Sequence, residues 1–139
     1  MRPGTLISLG SLALVGVVIL SQSTSGTKKR PAALSRAELR DLATRAGFTG
    51  DDIEHAVSIA IRESGGHPDA VNDTRGRTDL PKGTTNEYSI GLWQINTLSS
   101  PQWKDTWLKV PRNNAKAAYE LFRKNGWRPW RLPNTEPEA

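Results

Sequence analysis

The chain has 139 residues, with 19 Lys and Arg against 14 Asp and Glu, a net charge of +5 and no cysteine. That length holds one small domain, the missing cysteines exclude a disulfide framework or a thiolate metal site, and two histidines, His55 and His67, are too few for a zinc centre. A basic balance favours anionic partners, but the basic residues are scattered apart from Lys28, Lys29 and Arg30; the charge reads first as solvated surface, second as attraction to an anionic envelope, and no nucleic-acid partner is expected.

Leu6 to Leu20 is almost wholly apolar, broken by Ser8, Gly10, Ser11 and Gly16, and is about as long as the shortest spanning helices. An uncleaved membrane anchor over residues 1–21 is favoured over a cleaved signal peptide. The n-region is thin, with only Arg2, and the exit Ser21 to Gly26 has no clear Ala-x-Ala site. Lys28, Lys29 and Arg30 outweigh Arg2 and would hold the rest of the chain on the cytoplasmic side.

Residues 22–33 form a polar, basic linker that includes Pro31. Residues 34–132 read as the folded domain and 133–139 as a disordered tail. Ser35-Arg36-Ala37-Glu38 is a capping box. The helix it opens carries Leu39, Leu42, Ala43 and Ala46 on one face and stops at Gly47. Thr49 is the expected cap of a second helix, with Asp51 and Asp52 in its first turn. Ile53, Ala56, Val57, Ala60 and Ile61 are its apolar stripe, and Gly65, Gly66 and Pro68 end it.

His67 to Glu87 is rich in Gly, Asp, Asn and Thr and reads as a long loop with room for a short hairpin. Ile90 to Ile95 is an apolar run among turn residues, and Pro101 opens a short helix through Trp107. Pro111 to Lys124 is the last helix, with Ala115, Ala118, Tyr119 and Phe122 on one face and Gly126 and Pro129 closing it.

The residue with chemistry to offer is Glu63, at the C-terminal end of the second helix, three positions after Ala60 and seven after Ala56. That spacing places it near the apolar face. Partial desolvation and the negative end of the helix dipole both favour the protonated form, as a glycosidic general acid requires. The plain alternative is a solvated helix-end carboxylate paired with Arg62 or Arg75.

Arg62-Glu63-Ser64-Gly65-Gly66-His67-Pro68 and Gly91-Leu92-Trp93-Gln94-Ile95-Asn96 occur in that order, followed by Asn113 to Tyr119, Gly126 and Trp130. Together they resemble the transglycosylase SLT family of the lysozyme-like superfamily, which includes relatives of goose-type lysozyme. The resemblance runs from about Leu34 to Trp130. It implies a small, mainly α (α+β) lysozyme-like domain following the N-terminal hydrophobic anchor helix.

It also implies Glu63 as the catalytic acid/base, Ser64 as its neighbour supporting the carboxyl and the sugar, and Gln94 as a substrate contact with Asn96 beside it. Gly91 is expected to let backbone approach the glycan, Trp93 to offer a sugar platform or else to be core, and Tyr119 to hydrogen-bond Glu63. Family members often show Ala-Tyr-Asn where this chain has Ala-Tyr-Glu at Ala118 to Glu120.

The implied activity is a lytic transglycosylase cutting peptidoglycan glycan strands between N-acetylmuramic acid and N-acetylglucosamine, without cofactor or metal. A muramidase needs a second carboxylate, for which Asp69, Asp73, Asp79 and Glu87 are available and Asp73 or Glu87 preferred. A non-catalytic glycan-binding or structural protein is the alternative from another class. The expected setting is membrane-anchored and facing the wall, in a bacterial envelope or a membrane-containing virion, for local wall opening. Oligomeric state is not legible in the sequence.

Overall fold

A computed structural model describes residues 29–132. The expected anchor at 1–21, most of the linker and the tail at 133–139 lie outside the described residues. Among the described residues no helix is long and apolar enough to cross a membrane. Residues 31–132 belong to one compact unit that begins at Pro31.

Helix α1 spans Arg36–Ala46 and starts as expected. Ser35 Oγ accepts from Glu38 N at 3.1 Å, and Glu38 Oε2 accepts from Ser35 N at 2.7 Å. These bonds hold the Glu38 carboxyl below its usual range. Gly47, at φ 127°, ends the helix by donating to the Ala43 and Thr44 carbonyls, and the Tyr119 ring lies across the space a Cβ would need.

Helix α2 spans Asp51–Ser64 and departs from expectation at its start. Thr49 makes no side-chain cap; Gly50 is the N-cap, at φ 56°, and the first bonds run from Asp52 N to Thr49 O and Ile53 N to Gly50 O. The buried face is Ala56, Val57, Ile59 and Ala60, while Ile61 is exposed. The face that meets the core is thus shifted toward Ile59, because α2 is covered by more than one neighbour: α1 on one side and the Trp93 indole on another.

The loop after α2 does hold a hairpin. Strand β1 (Val71–Asp73) pairs antiparallel with β2 (Tyr88–Ile90), which pairs antiparallel with β3 (Ile95–Asn96). The registers are Asn72 opposite Ser89 and Ile90 opposite Ile95. Residues 74–87 connect β1 to β2 as an irregular excursion tied by Thr74 N to Glu87 O at 2.9 Å.

Helix α3 is a single turn, Asp105–Leu108, shorter than the helix expected from Pro101. Helix α4 spans Pro111–Asn125, with Pro111 at its first position and Gly126 at its end. A 3₁₀ turn, Arg128–Trp130, follows. The core brings Leu39, Phe48, Val57, Ile90, Leu92, Trp93, Leu108 and Ala118 together, so all four helices and the sheet contribute to it. The result is a mixed, mainly helical domain with one small antiparallel sheet.

Candidate active site

Glu63 is the penultimate residue of α2. The helix stops one residue later, at Ser64, because Gly65 is left-handed, at φ 64°, and donates to Ile61 O at 2.8 Å. Ser64 serves that same ending: its hydroxyl donates to Ala60 O at 2.8 Å and accepts from Gly66 N at 3.1 Å. With its proton committed to the backbone, Ser64 braces the segment carrying Glu63 and does not line the cleft, contrary to the expectation of a sugar contact.

Two cavities of about 440 Å³ each meet at Glu63. Both are also walled by Thr85, Glu87, Pro129 and Trp130. One continues past Asn72, Thr74 and Pro81, the other past Ser89, Gln94 and Asn96. The Glu63 side chain is 26 % exposed, and its Oε2 accepts from Arg62 Nε at 3.0 Å. The pairing with Arg62 named as the plain alternative is therefore present, and the carboxylate it holds still forms part of the cleft wall.

Of the carboxylates considered as a second acid or base, Glu87 is the one that reaches the cleft. Its carboxylate accepts from Asn72 Nδ2, and its backbone N donates to Thr74 Oγ1 at 2.8 Å. Asp73 is instead taken up by Arg75, with contacts of 2.8 Å to Nε and 2.7 Å to Nη2, and these hold its carboxyl at about 2. The Arg75 guanidinium lies 4.0 Å over the Tyr88 ring. Asp79 is paired with Arg77. The alternation of strand positions explains the difference between Asp73 and Asn72: neighbours on β1 point to opposite faces, and it is Asn72 that turns to the cleft.

The turn 91–96 behaves in two ways. Gln94 and Asn96 face the second cavity as expected. Gln94 has a left-handed backbone, φ 48°, rare for a residue with a side chain. Its Nε2 donates to Gly91 O at 3.0 Å and Ala70 O at 3.2 Å, which holds that conformation. Asn96 Oδ1 accepts from Leu98 N at 3.0 Å and Tyr88 N at 3.3 Å.

Gly91 and Trp93 face inward. Trp93 is fully buried, donates through Nε1 to Ala56 O at 2.9 Å and through its backbone N to Asn114 Oδ1 at 2.8 Å. It is a core anchor between α2 and α4, not a sugar platform. Gly91, at φ 81°, makes room for the Asn114 side chain and the Leu108 carbonyl, so its missing Cβ serves the interior rather than an approaching glycan.

Tyr119 does not meet Glu63 but packs against the core, as its helical spacing with Ala115 and Phe122 allows. It packs edge-on against Phe48, with ring centroids 5.1 Å apart, and neither cavity at Glu63 includes it. The partner expected of it at Glu63 is supplied by Arg62. Among the five tryptophans, Trp130 is the one at the cleft. Trp127 is stacked between His55 and Phe48, and Trp103 and Trp107 stack on each other at 6.4 Å beside a separate hollow.

Sequence reading missed Asn114, which is fully buried and also donates through Nδ2 to Ile90 O at 2.8 Å and Leu108 O at 2.9 Å. The available signal was a polar residue four positions before Ala118, on the apolar face of its helix. Trp130 was legible as the aromatic close of the resemblance, but not as the tryptophan at the cleft, since it lies in a turn whose packing depends on distant residues.

No curated protein matches the chain. The sequence model of the family described as "Lysozyme like domain" matches residues 40–132, which includes α2, the sheet, α4 and every wall of the cleft at Glu63. The chain belongs to this lysozyme-like domain family, and that membership implies a glycosidase-type enzyme acting on peptidoglycan.

Proposed function

We propose that the domain is a lytic transglycosylase that cuts peptidoglycan glycan strands between N-acetylmuramic acid and N-acetylglucosamine, with Glu63 as its acid and base. The observation that carries this reading is the place of Glu63 in the shared wall of two successive cavities. A glycan threaded through both presents the bond between two sugars at that carboxyl.

In the proposed reaction protonated Glu63 gives its proton to the glycosidic oxygen, and the C1–O bond breaks. The substrate's own acetamido oxygen stabilises the charge that develops at C1. Glu63, now a carboxylate, takes the proton of the muramic C6 hydroxyl, and O6 closes on C1 as a 1,6-anhydro ring. One protein carboxyl serves both steps, and neither a metal nor a cofactor enters.

Gln94 and Asn96 supply recognition of opposite polarity. Gln94 is anchored through its amide nitrogen, which turns its oxygen into the acceptor it can offer. Asn96 is anchored through its amide oxygen, which leaves amide hydrogens to offer. An acetamido group carries one donor and one acceptor, the complement of that pair.

A second reading is favoured by one observation: Glu87 walls both cavities with Glu63. A carboxylate there is available to hold a water, which would make the enzyme a muramidase at the same bond. The apolar segment from Leu6 to Leu20 belongs to the proposal as a tether that keeps the domain facing the wall, in a bacterial envelope or a membrane-containing particle. Membrane fractionation of the expressed protein tests that part.

Digestion of purified peptidoglycan by the protein, beside Glu63→Gln, tests the chemistry. Anhydro ends from the parent and none from the variant are expected. Reducing ends would establish hydrolysis and bring Glu87 into the reaction. No release from folded parent protein would leave a non-catalytic glycan-binding or structural role.

A further inference from the structure

The residue before Glu63 holds it from an unexpected direction. Arg62 Nε donates to Glu63 Oε2 at 3.0 Å, and Arg62 Nη2 donates to the Trp130 carbonyl at 2.5 Å. Trp130 donates through Nε1 to Trp93 O at 2.8 Å, and Trp93 donates through its own Nε1 to Ala56 O at 2.9 Å. Ala56 and Glu63 both lie on α2. The bonds therefore run from α2 through the buried tryptophan and the C-terminal turn back to the end of the same helix.

Helix geometry alone would not make the Arg62–Glu63 contact. Side chains at i and i+1 do not face one another on a helix. Arg62 has to be drawn sideways to reach its neighbour, and the Trp130 carbonyl, 68 residues away in sequence, supplies the second attachment that draws it. A guanidinium is suited to this because it is planar and donates from different nitrogens in fixed directions; an ammonium has the charge but a single nitrogen.

We propose that Arg62 is a positioning residue for Glu63, and that the turn Arg128–Trp130 belongs to the catalytic machinery because its last carbonyl sets the Arg62 side chain. The inference rests on the reading of Glu63 as the acid and base. Its consequence is that the carboxylate is aimed only when the C-terminal turn is docked on Trp93.

The test uses the full chain and three variants, Arg62→Lys, Arg62→Ala and Glu63→Gln. Release of muropeptides from purified peptidoglycan gives turnover, co-sedimentation with the same material gives binding, and circular dichroism gives the melting temperature. Arg62→Lys is expected to lower turnover about 10- to 100-fold while binding stays within about twofold, since misaiming a catalytic group affects the chemical step. Arg62→Ala is expected to lose at least as much and to recover part of it when methylguanidinium is added.

Turnover by folded Arg62→Lys equal to the parent, with Glu63→Gln inactive, would overturn the positioning role and leave the reading of Glu63 intact. Turnover that falls only in step with the melting temperature, with no recovery by methylguanidinium, would make Arg62 a residue of the fold and overturn it too. An active Glu63→Gln would sink the reading of Glu63 and this inference together.

Discussion

The side chain of Asn114 fills the space that a Cβ on Gly91 would need, and the Leu108 carbonyl lies 2.8 Å from the same point. The fit couples the first residue of the 91–96 turn to the middle of the domain, because Asn114 bonds the Trp93 amide and the Ile90 and Leu108 carbonyls at once. Gly91→Ala is therefore expected to destabilise by about 2–4 kcal/mol, from a strained positive φ together with displacement of a buried amide. Asn114→Ala should cost a similar amount, by leaving buried backbone groups without their partner. Urea denaturation measures both, and a Gly91→Ala protein with the parent's midpoint would refute the argument.

Trp93 is an anchor of the core, so its substitution should act on stability before substrate. Trp93→Phe removes the indole N–H from the Ala56 carbonyl and leaves unfilled volume. A loss of about 2–4 kcal/mol is expected. Co-sedimentation of the folded variant with peptidoglycan should match the parent's. Weaker binding without loss of stability would return Trp93 to the sugar-binding surface.

Glu87 decides between the two chemistries. In the one-carboxylate route, Glu87→Gln should slow release of anhydro products less than about tenfold, through lost contacts in the cleft. Mass spectrometry of the products reads both rate and end group. Loss of nearly all activity, with reducing ends in the parent digest, would identify Glu87 as the second carboxylate.

The Asp73–Arg75 pair has a defined pH signature. Its partner holds the Asp73 carboxyl at about 2, below the ordinary value of 3.8. A carboxyl lowered in the folded state adds stability above its unfolded value, and that part is lost as pH falls through the folded value. The contribution should be present at neutral pH and vanish between pH 3.8 and about 2. The effect is small, because both side chains are about half exposed to water. Melting temperatures of the parent and Asp73→Asn should converge across that window; a gap that widens toward acid would contradict the pairing.

Much of the architecture was legible residue by residue. The Ser35–Glu38 capping box, the glycine stops at Gly47, Gly65 and Gly126, and Pro111 at the start of its helix all appear where the sequence puts them. Each depends on backbone bonds spanning a few residues, which a linear pattern can express. Glu63 was legible for the same reason: its helix, its helix end and its distance from Ala60 are local facts. Thr49 was misread as a cap because Gly50 also satisfies the entry geometry there.

The tertiary structure decided which side of each segment meets solvent and which meets the core. Gln94 and Asn96 reach the cleft while Gly91 and Trp93 turn inward, although all four lie within six positions. Asn72 and Glu87, rather than Asp73, form the wall near Glu63, because pairing of β1 with β2 sets which face each residue takes. Tyr119 goes to Phe48, and Arg62 finds its second partner at Trp130. Sequence spacing carries the period of a helix or strand. The partner that covers a given face is chosen by packing between residues far apart in the chain, and only the folded domain contains that choice.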